Sequence, residues 1–448
     1  MTPADGAAEA PPSTPASHAS AGHAGGYAAT IRALSDRIVE AQRPIRILDA
    51  IKWDDGVRVA FFAAGCAEPP PVDGAYYAAH PLPFDPAALR DGFYTIENDI
   101  HRELGQFNPV ARIMARMCRE YRSAIRMLEA RGTPEFARLS QHLYGSAHDV
   151  FYAGEPTLAD LGTQMTAMLD HLQGGILGQG EAKDIDGETA AALLQERLDA
   201  VFDDPAERVR VVVSDGIVAD AAAGADYIKM RSEAWFNERD LRLLEIHEGW
   251  VHVGTTLNGR RQPVCTFLSK GPPSSTVTQE GLAMLMEVLC FASHPARMRR
   301  LTNRIHAVSR VEDGATFLDV FRMYRDQGFD ELESYTNATR VFRGSTPDGG
   351  PFTKDISYSK GFVLIYNYVR LCVKRGLVER IPLLFCGKTT LEDIHTLAAL
   401  VDEGIVVPPR YLPPQVADLN ALVAWLSYSN FIGQLDLRRI EADYAQIL

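Results

Sequence analysis

The sequence predicts an α+β protein that is predominantly helical, with a small β-sheet set beside one site-bearing helix. Three observations predict it. Apolar residues recur at spacings of three and four along most of the 448 residues. One segment, from Glu207 to Phe236, switches to β-branched runs broken by turn dipeptides. Directly after it, a helical pattern carries His247-Glu248-Gly249-Trp250-Val251-His252, two imidazoles bracketing a carboxylate.

Composition bounds the rest. Hydrophobic content of 46% and charged content of 23% are ordinary for a water-soluble chain able to bury a large core. The net charge of −13 argues against general binding to nucleic acid or anionic lipid, though it leaves room for a local cationic pocket. No apolar run reaches the roughly 20 residues needed to cross a bilayer. The six cysteines are scattered with no CxxC pair, which predicts buried thiols in a reducing compartment. Residues 1–26, rich in Ala, Pro, Ser and Gly, lack the basic and apolar regions of a secretory signal and are expected to be a disordered tail in which His18 and His23 are inert. The expectation is a cytoplasmic protein with neither a nucleic-acid nor a membrane partner. The length suits two or three domains or one elaborated fold.

Residues 27–195 read as a helical N-terminal region. A helical pattern runs up to Pro44 and resumes beyond it, followed by loop between Pro69 and Pro86. A strong helix then carries the stripe Met114, Met117, Tyr121, Ile125 and Leu128, with Gly132 as its stop. Thr133-Pro134 restarts a helix as cap and first-turn proline. The basic face Arg112, Arg116, Arg119, Arg122 and Arg126 reads either as a docking face for an acidic partner or as a solvated face with local glutamate partners.

Residues 196–448 read as the catalytic domain. RVRVVV and DYIKMRSEAWF are extended runs, with Asp215-Gly216 as turn chemistry between them. A strand before the site helix either pairs with a substrate backbone or only supports the helix. Asn237 is a candidate cap with Asp240 in the first turn, and Leu243, Leu244, Ile246 and Val251 are the core face. A second helix begins near Thr278, with Leu282, Leu285, Met286 and Leu289 on one side and Glu280 and Glu287 on the other. Further helices follow, with a capping box at Asp330 and Glu333, and DGGPFTKDISYSKG reads as a loop carrying Lys354, Asp355 and Tyr358. His294 and His306 read as structural, and the segment after Gly404 shows no chemistry.

Two neutral histidines and a carboxylate, with a fourth position left for water, form the ligand set of a catalytic zinc site. Histidines five apart on a regular helix diverge by roughly 140°. For His247 and His252 to share an ion the helix must therefore bulge by one residue, and Gly249 eases unusual dihedrals there. Glu280, 33 residues after His247, is the expected third ligand. Glu287 is the reserve candidate, about 10 Å further along the same face; whichever does not bind the ion is free to brace a histidine. Glu248 is then the base for the water, and a zincin-like metallopeptidase fold is the expectation. The alternative is two unrelated histidines on an amphipathic helix.

The blocks KMRSEAWFNERDLRLLEIHEGWVHVGTTLNGRRQP, TVTQEGLAMLMEVL, RVFRG and GGPFTKDISYSKG resemble, in order and nearly in spacing, the QEGLA-motif family. Its bacterial members are named flavohemoglobin expression-modulating QEGLA motif proteins, and its eukaryotic members include the microtubule-associated tyrosine carboxypeptidases. The likeness spans roughly residues 200–370, with a weaker extension back to RGTPEFARLSQHLYG. It implies zinc on His247, His252 and Glu280, Glu248 as catalytic base, and trimming of a residue from a protein or peptide C-terminus. It does not imply tubulin as the substrate. Trp250 and Val251 stand where the eukaryotic motif carries small residues, so substrate fit near the helix is expected to differ. A carboxypeptidase needs a cation for the terminal carboxylate, and Arg340, Arg343 and Lys354 are the candidates. Tyr358, Arg343 or Lys354 are candidates to stabilise the oxyanion; alternatively Arg340 and Arg343 only tether neighbouring carboxylates. The rival functions are a non-catalytic regulator whose metal is structural or absent, and an aminopeptidase or dipeptidyl peptidase.

Overall fold

The computed structural model describes residues 19–448 except 153, 173–181, 216, 218–219, 446 and 448, with side chains described from residue 26 onward. Of the tail expected over 1–26, the first 18 residues and the side chain of His23 lie outside this description. From Ala19 the backbone is already helical, in a helix that runs to Ala41.

The molecule is predominantly helical with small sheets, as the periodicity predicts. Local chemistry sets several helix starts. Asn108 accepts from the Val110 and Ala111 amides ahead of a first-turn proline and opens Pro109–Glu129, whose stripe Met114, Met117, Tyr121, Ile125 and Leu128 is buried. Asn237 with Asp240, and Asp330 with Glu333, form reciprocal capping boxes. Thr133 departs from expectation: its side chain caps nothing, because its hydroxyl donates to the Ala130 carbonyl at 2.7 Å. The basic face of the long helix is salted locally. Arg119 and Arg122 bond Glu97, and Arg116 pairs with Glu120 and Asp393.

The largest apolar cluster draws on both portions of the chain, uniting Ile31, Met114 and Ile125 with Leu243, Leu285, Ile365, Leu397 and Leu426. All six cysteines are free, five of them buried and Cys66 half-buried. Among the described residues no helix is long and apolar enough to cross a membrane.

The three-stranded sheet is not a simple hairpin. Tyr227–Met230 is central, parallel to Arg210–Val213 and antiparallel to Ala221–Ala223. Ala221–Ala223 is thus an edge strand. Asp220 and Gly224 bond across to the central strand, through Arg231 N–H to the Asp220 carbonyl and Gly224 N–H to the Tyr227 carbonyl. In an antiparallel ladder, groups two residues apart point the same way. The backbone groups of Ala221 and Ala223 therefore point outward, toward the cleft that this strand lines.

Candidate metal centre and its cleft

The site is built on one continuous helix. Regular α-helix over Glu238–Leu244 passes into a π-helix over Glu245–Val253 and back to α-helix over Gly254–Arg260. The Gly254 N–H reaches back five residues to the Gly249 carbonyl. This wider turn is the distortion that a five-residue histidine spacing requires. It brings the two rings to 4.8 Å between centroids, nearly perpendicular at 81°. A register shift loosens carbonyls from the helical ladder, and each needs another donor. Thr255 Oγ1 donates to the Val251 carbonyl at 2.6 Å, while Thr256 Oγ1 and Lys388 Nζ both donate to the His252 carbonyl at 2.8 Å.

Gly249 serves a purpose other than the expected one. It does not adopt a positive φ. A Cβ there would instead come within 2.6 Å of Leu198 Cδ2, so the residue permits close approach of the Gly187–Asp199 helix.

Glu280 arrives on the helix Ser275–Leu289, which crosses the helix Ser357–Arg375 at a pair of glycines. A Cβ on Gly361 would lie 2.0 Å from the Val277 carbonyl oxygen, and one on Gly281 would lie 2.3 Å from the Gly361 carbonyl carbon. Only residues without side chains allow this approach. It places Glu280 Oε2 at 3.4 Å from His247 Nε2 and 3.5 Å from His252 Nε2.

These atoms fit a divalent ion. One ligand atom from each of His247, His252 and Glu280 lies within 4.8 Å of the others. Ligands about 2.0–2.1 Å from a tetrahedral centre sit roughly 3.3 Å apart, close to the two measured spacings. Among the described residues Glu280 Oε2, sealed from solvent, also has no hydrogen-bond partner, an orphaned oxygen that a cation could satisfy.

Glu287 takes the supporting place. Its Oε1 accepts from His247 Nδ1 at 2.6 Å and from Arg297 Nη2 at 3.0 Å, which leaves His247 Nε2 to face the ion site. Burial disfavours a charged His247, but Glu280 and Glu287 outweigh it and hold the imidazole well above its ordinary pKa. Burial likewise opposes ionisation of Glu280, yet Lys354 and then the two histidines draw it well below the usual carboxylate range. Burial also works against Glu287, which Arg297 and His247 lower to about 2. The pocket thus favours a positive charge between its carboxylates.

Glu248 points into the same space. Its Oε2 accepts from the outward Ala223 N–H at 2.9 Å, and its Oε1 is 4.0 Å from His247 Nε2. His247, His252, Glu280 and Glu248 open on a cleft of about 910 Å³ whose wall includes Arg297, Arg304, Arg340, Arg343, Lys354 and Tyr358.

The expected substrate cations are placed unequally. Arg340 is clamped by Asp355 through Nε at 2.7 Å and Nη2 at 3.0 Å, which is the tethering role. Lys354 Nζ donates to Glu280 Oε1 at 3.1 Å. Arg343 is only 4.0 Å from Asp355, and its Nε is buried without a partner. Tyr358 lies in the first turn of a helix and not in the expected loop, since a 3-10 turn over Thr353–Ile356 runs straight into Ser357–Arg375. Its ring stacks near His247 at 6.1 Å, and its hydroxyl bonds no described residue. His294 lines the cleft, and His306 Nε2 is bonded to Thr166 Oγ1 at 2.9 Å.

Sequence reasoning missed Arg297, Arg304 and Lys388. It also missed the glycine crossing, although TQEGLA and SYSKG each display the glycine. The Thr255-Thr256 pair after the second histidine was a readable sign of carbonyls needing donors.

A helix-borne His/His/Glu set able to hold a metal ion, with a further carboxylate beside it on a cation-walled cleft, defines a site of enzyme type. A family model described as microtubule-associated tyrosine carboxypeptidase matches residues 59–434, and the chain belongs to that family. The family's carboxypeptidase character supports assignment of the chain as an enzyme. No curated protein matches the chain.

Proposed function

We propose that the protein is a zinc-dependent metallopeptidase of zincin-like architecture, a carboxypeptidase that hydrolyses the C-terminal peptide bond of a protein or peptide. The observation that carries this reading is the orphaned Glu280 Oε2, buried between His247 Nε2 and His252 Nε2. Two imidazoles and one carboxylate suit zinc with an open coordination position. Bound there, zinc supplies Lewis-acid activation of a water and of the scissile carbonyl.

The chain's own groups supply the rest. Glu248, fixed at one oxygen by the edge strand, accepts the proton of the attacking water and returns it to the leaving amine. Tyr358, whose hydroxyl bonds no described residue, donates to the oxyanion as the carbonyl is attacked. Glu287 keeps His247 oriented with Nδ1 as the donor, so that Nε2 stays free for the ion.

Glu248→Gln tests the mechanism. The variant should bind one zinc per chain by elemental analysis and lose at least about 100-fold in hydrolysis, the contribution expected of a general base. Undiminished activity overturns the role of Glu248. Mass spectrometry of a peptide pool incubated with the zinc-loaded protein should show shortening at the C-terminus. Shortening at the N-terminus instead selects the aminopeptidase alternative.

A further inference from the structure

We infer that Arg304 and Arg343, rather than Arg340, grip the free α-carboxylate of the substrate, so that the cleft takes chain ends and rejects amidated ones. This rests on the carboxypeptidase reading of the same cleft. Arg304 comes from the helix Pro295–Glu312, and its guanidinium carbon lies 4.8 Å from the centre of the Tyr358 ring. Among the described residues its Nη1, sealed from solvent, has no acceptor, and neither has Nε of Arg343. Guanidinium N–H groups shut away from water without an acceptor are uncommon, and a ligand is one of the few things that satisfies them.

Three other cations of the wall are engaged, and Arg300, which also lines it, is half-buried and has no nitrogen sealed from solvent without a partner. Arg297 is held by Glu287, Arg340 by Asp355 and Lys354 by Glu280. Among the described residues Arg304 has neither a hydrogen bond nor an ion pair. Arg343 has only Asp355 at 4.0 Å, a carboxylate already clamped by Arg340. Burial and the neighbouring Arg340 push Arg343 down to about 10, the state of a cation short of a counter-charge.

The position also suits a terminal carboxylate. Tyr358 links the two ends, its ring 6.1 Å from His247 and 4.8 Å from Arg304. One extended residue reaches roughly 3.5 Å. A C-terminal residue whose carbonyl lies at the His/His/Glu set therefore carries its carboxylate past the Tyr358 ring toward the arginines. An Arg fork is also the side chain best matched to a carboxylate.

The test uses zinc-loaded Glu248→Gln protein, which binds without turning over, and acetyl-Ala-Ala-Tyr as free acid and as amide. Tyrosine is the residue in the family's name. Calorimetry should show the acid bound at least 10-fold more tightly than the amide. That preference should vanish in Glu248→Gln/Arg304→Gln, recover in part in Glu248→Gln/Arg304→Lys, and persist in Glu248→Gln/Arg340→Gln. Equal binding of acid and amide, binding of neither, or a preference that survives loss of Arg304 overturns the inference. Hydrolysis of the same peptides by the wild-type protein, measured in parallel, reports separately on the peptidase reading.

Discussion

Asp355 decides which arginine of the pair in RVFRG is a tether. Its carboxylate takes both Arg340 contacts, and it is 3% exposed, so the pair is desolvated as a unit. Removing one partner of a buried pair leaves the other charge stranded, at about 3–5 kcal/mol. Asp355→Ala is therefore expected to lower the unfolding free energy by that much, read as a lower urea midpoint with an unchanged slope. Burial alone would raise the Asp355 pKa, but Arg340, Arg304 and Arg343 hold it well below the carboxylate range. A depressed folded value means the contribution is complete above the unfolded pKa of about 3.9 and fades as the pH falls toward the folded one. The wild-type advantage over Asp355→Ala should thus be constant near neutrality and shrink below about pH 4, as paired urea titrations would show. At this scale the cluster of His247, His252 and Glu280 was legible because the two histidines share one short motif and Glu280 sits in the TQEGLA block that follows it. Arg340 and Arg343 were not distinguishable, because what separates them is a carboxylate 15 and 12 residues further along the chain.

At the scale of elements, two glycines that look alike in the sequence differ in what surrounds them. A Cβ at Gly249 meets the tip of Leu198 at 2.6 Å, an atom that a rotamer change moves. A Cβ at Gly361 meets backbone, at 2.0 Å from the Val277 oxygen and 2.8 Å from the Gly281 nitrogen, so the helices themselves must separate. Overpacking costs about 1–3 kcal/mol where side chains yield and more where they cannot. Gly249→Ala should therefore stay within about 1 kcal/mol of wild type, part of the strain being offset by alanine's helix propensity. Gly361→Ala should lose about 3 kcal/mol or more. It should also weaken zinc binding, because Glu280 shares the displaced helix. Thermal melts and zinc competition on both variants check this, and equal effects would mean that the crossing does not position Glu280. The π-helix was legible, since histidines five apart cannot share a face without it. The strand order was not: local alternation marks strands but does not say that Tyr227–Met230 sits between its two neighbours.

For the whole molecule, periodicity showed which helices are amphipathic but not which of them share a core. Ile31 and Met114 lie in one apolar cluster with Leu285 and Ile365, so apolar packing joins residues from both sides of position 196. The clusters that fill the interior are assembled from residues other than the metal ligands. The ligands come from helices already joined to that core, through Ile246 and Val251 on one side and Leu282 and Met286 on the other. A site carried in this way is expected to add stability by mass action and not to create the fold. Binding at 1,000 times the dissociation constant contributes about 4 kcal/mol, and chelation removes only that contribution. The protein stripped with a chelator should keep its far-UV circular dichroism at 25 °C, melt several degrees lower, and regain both melting temperature and hydrolysis when zinc is restored. Unfolding on chelation would mean that the metal holds the helices together, and the regulator with a structural ion would then be the better reading.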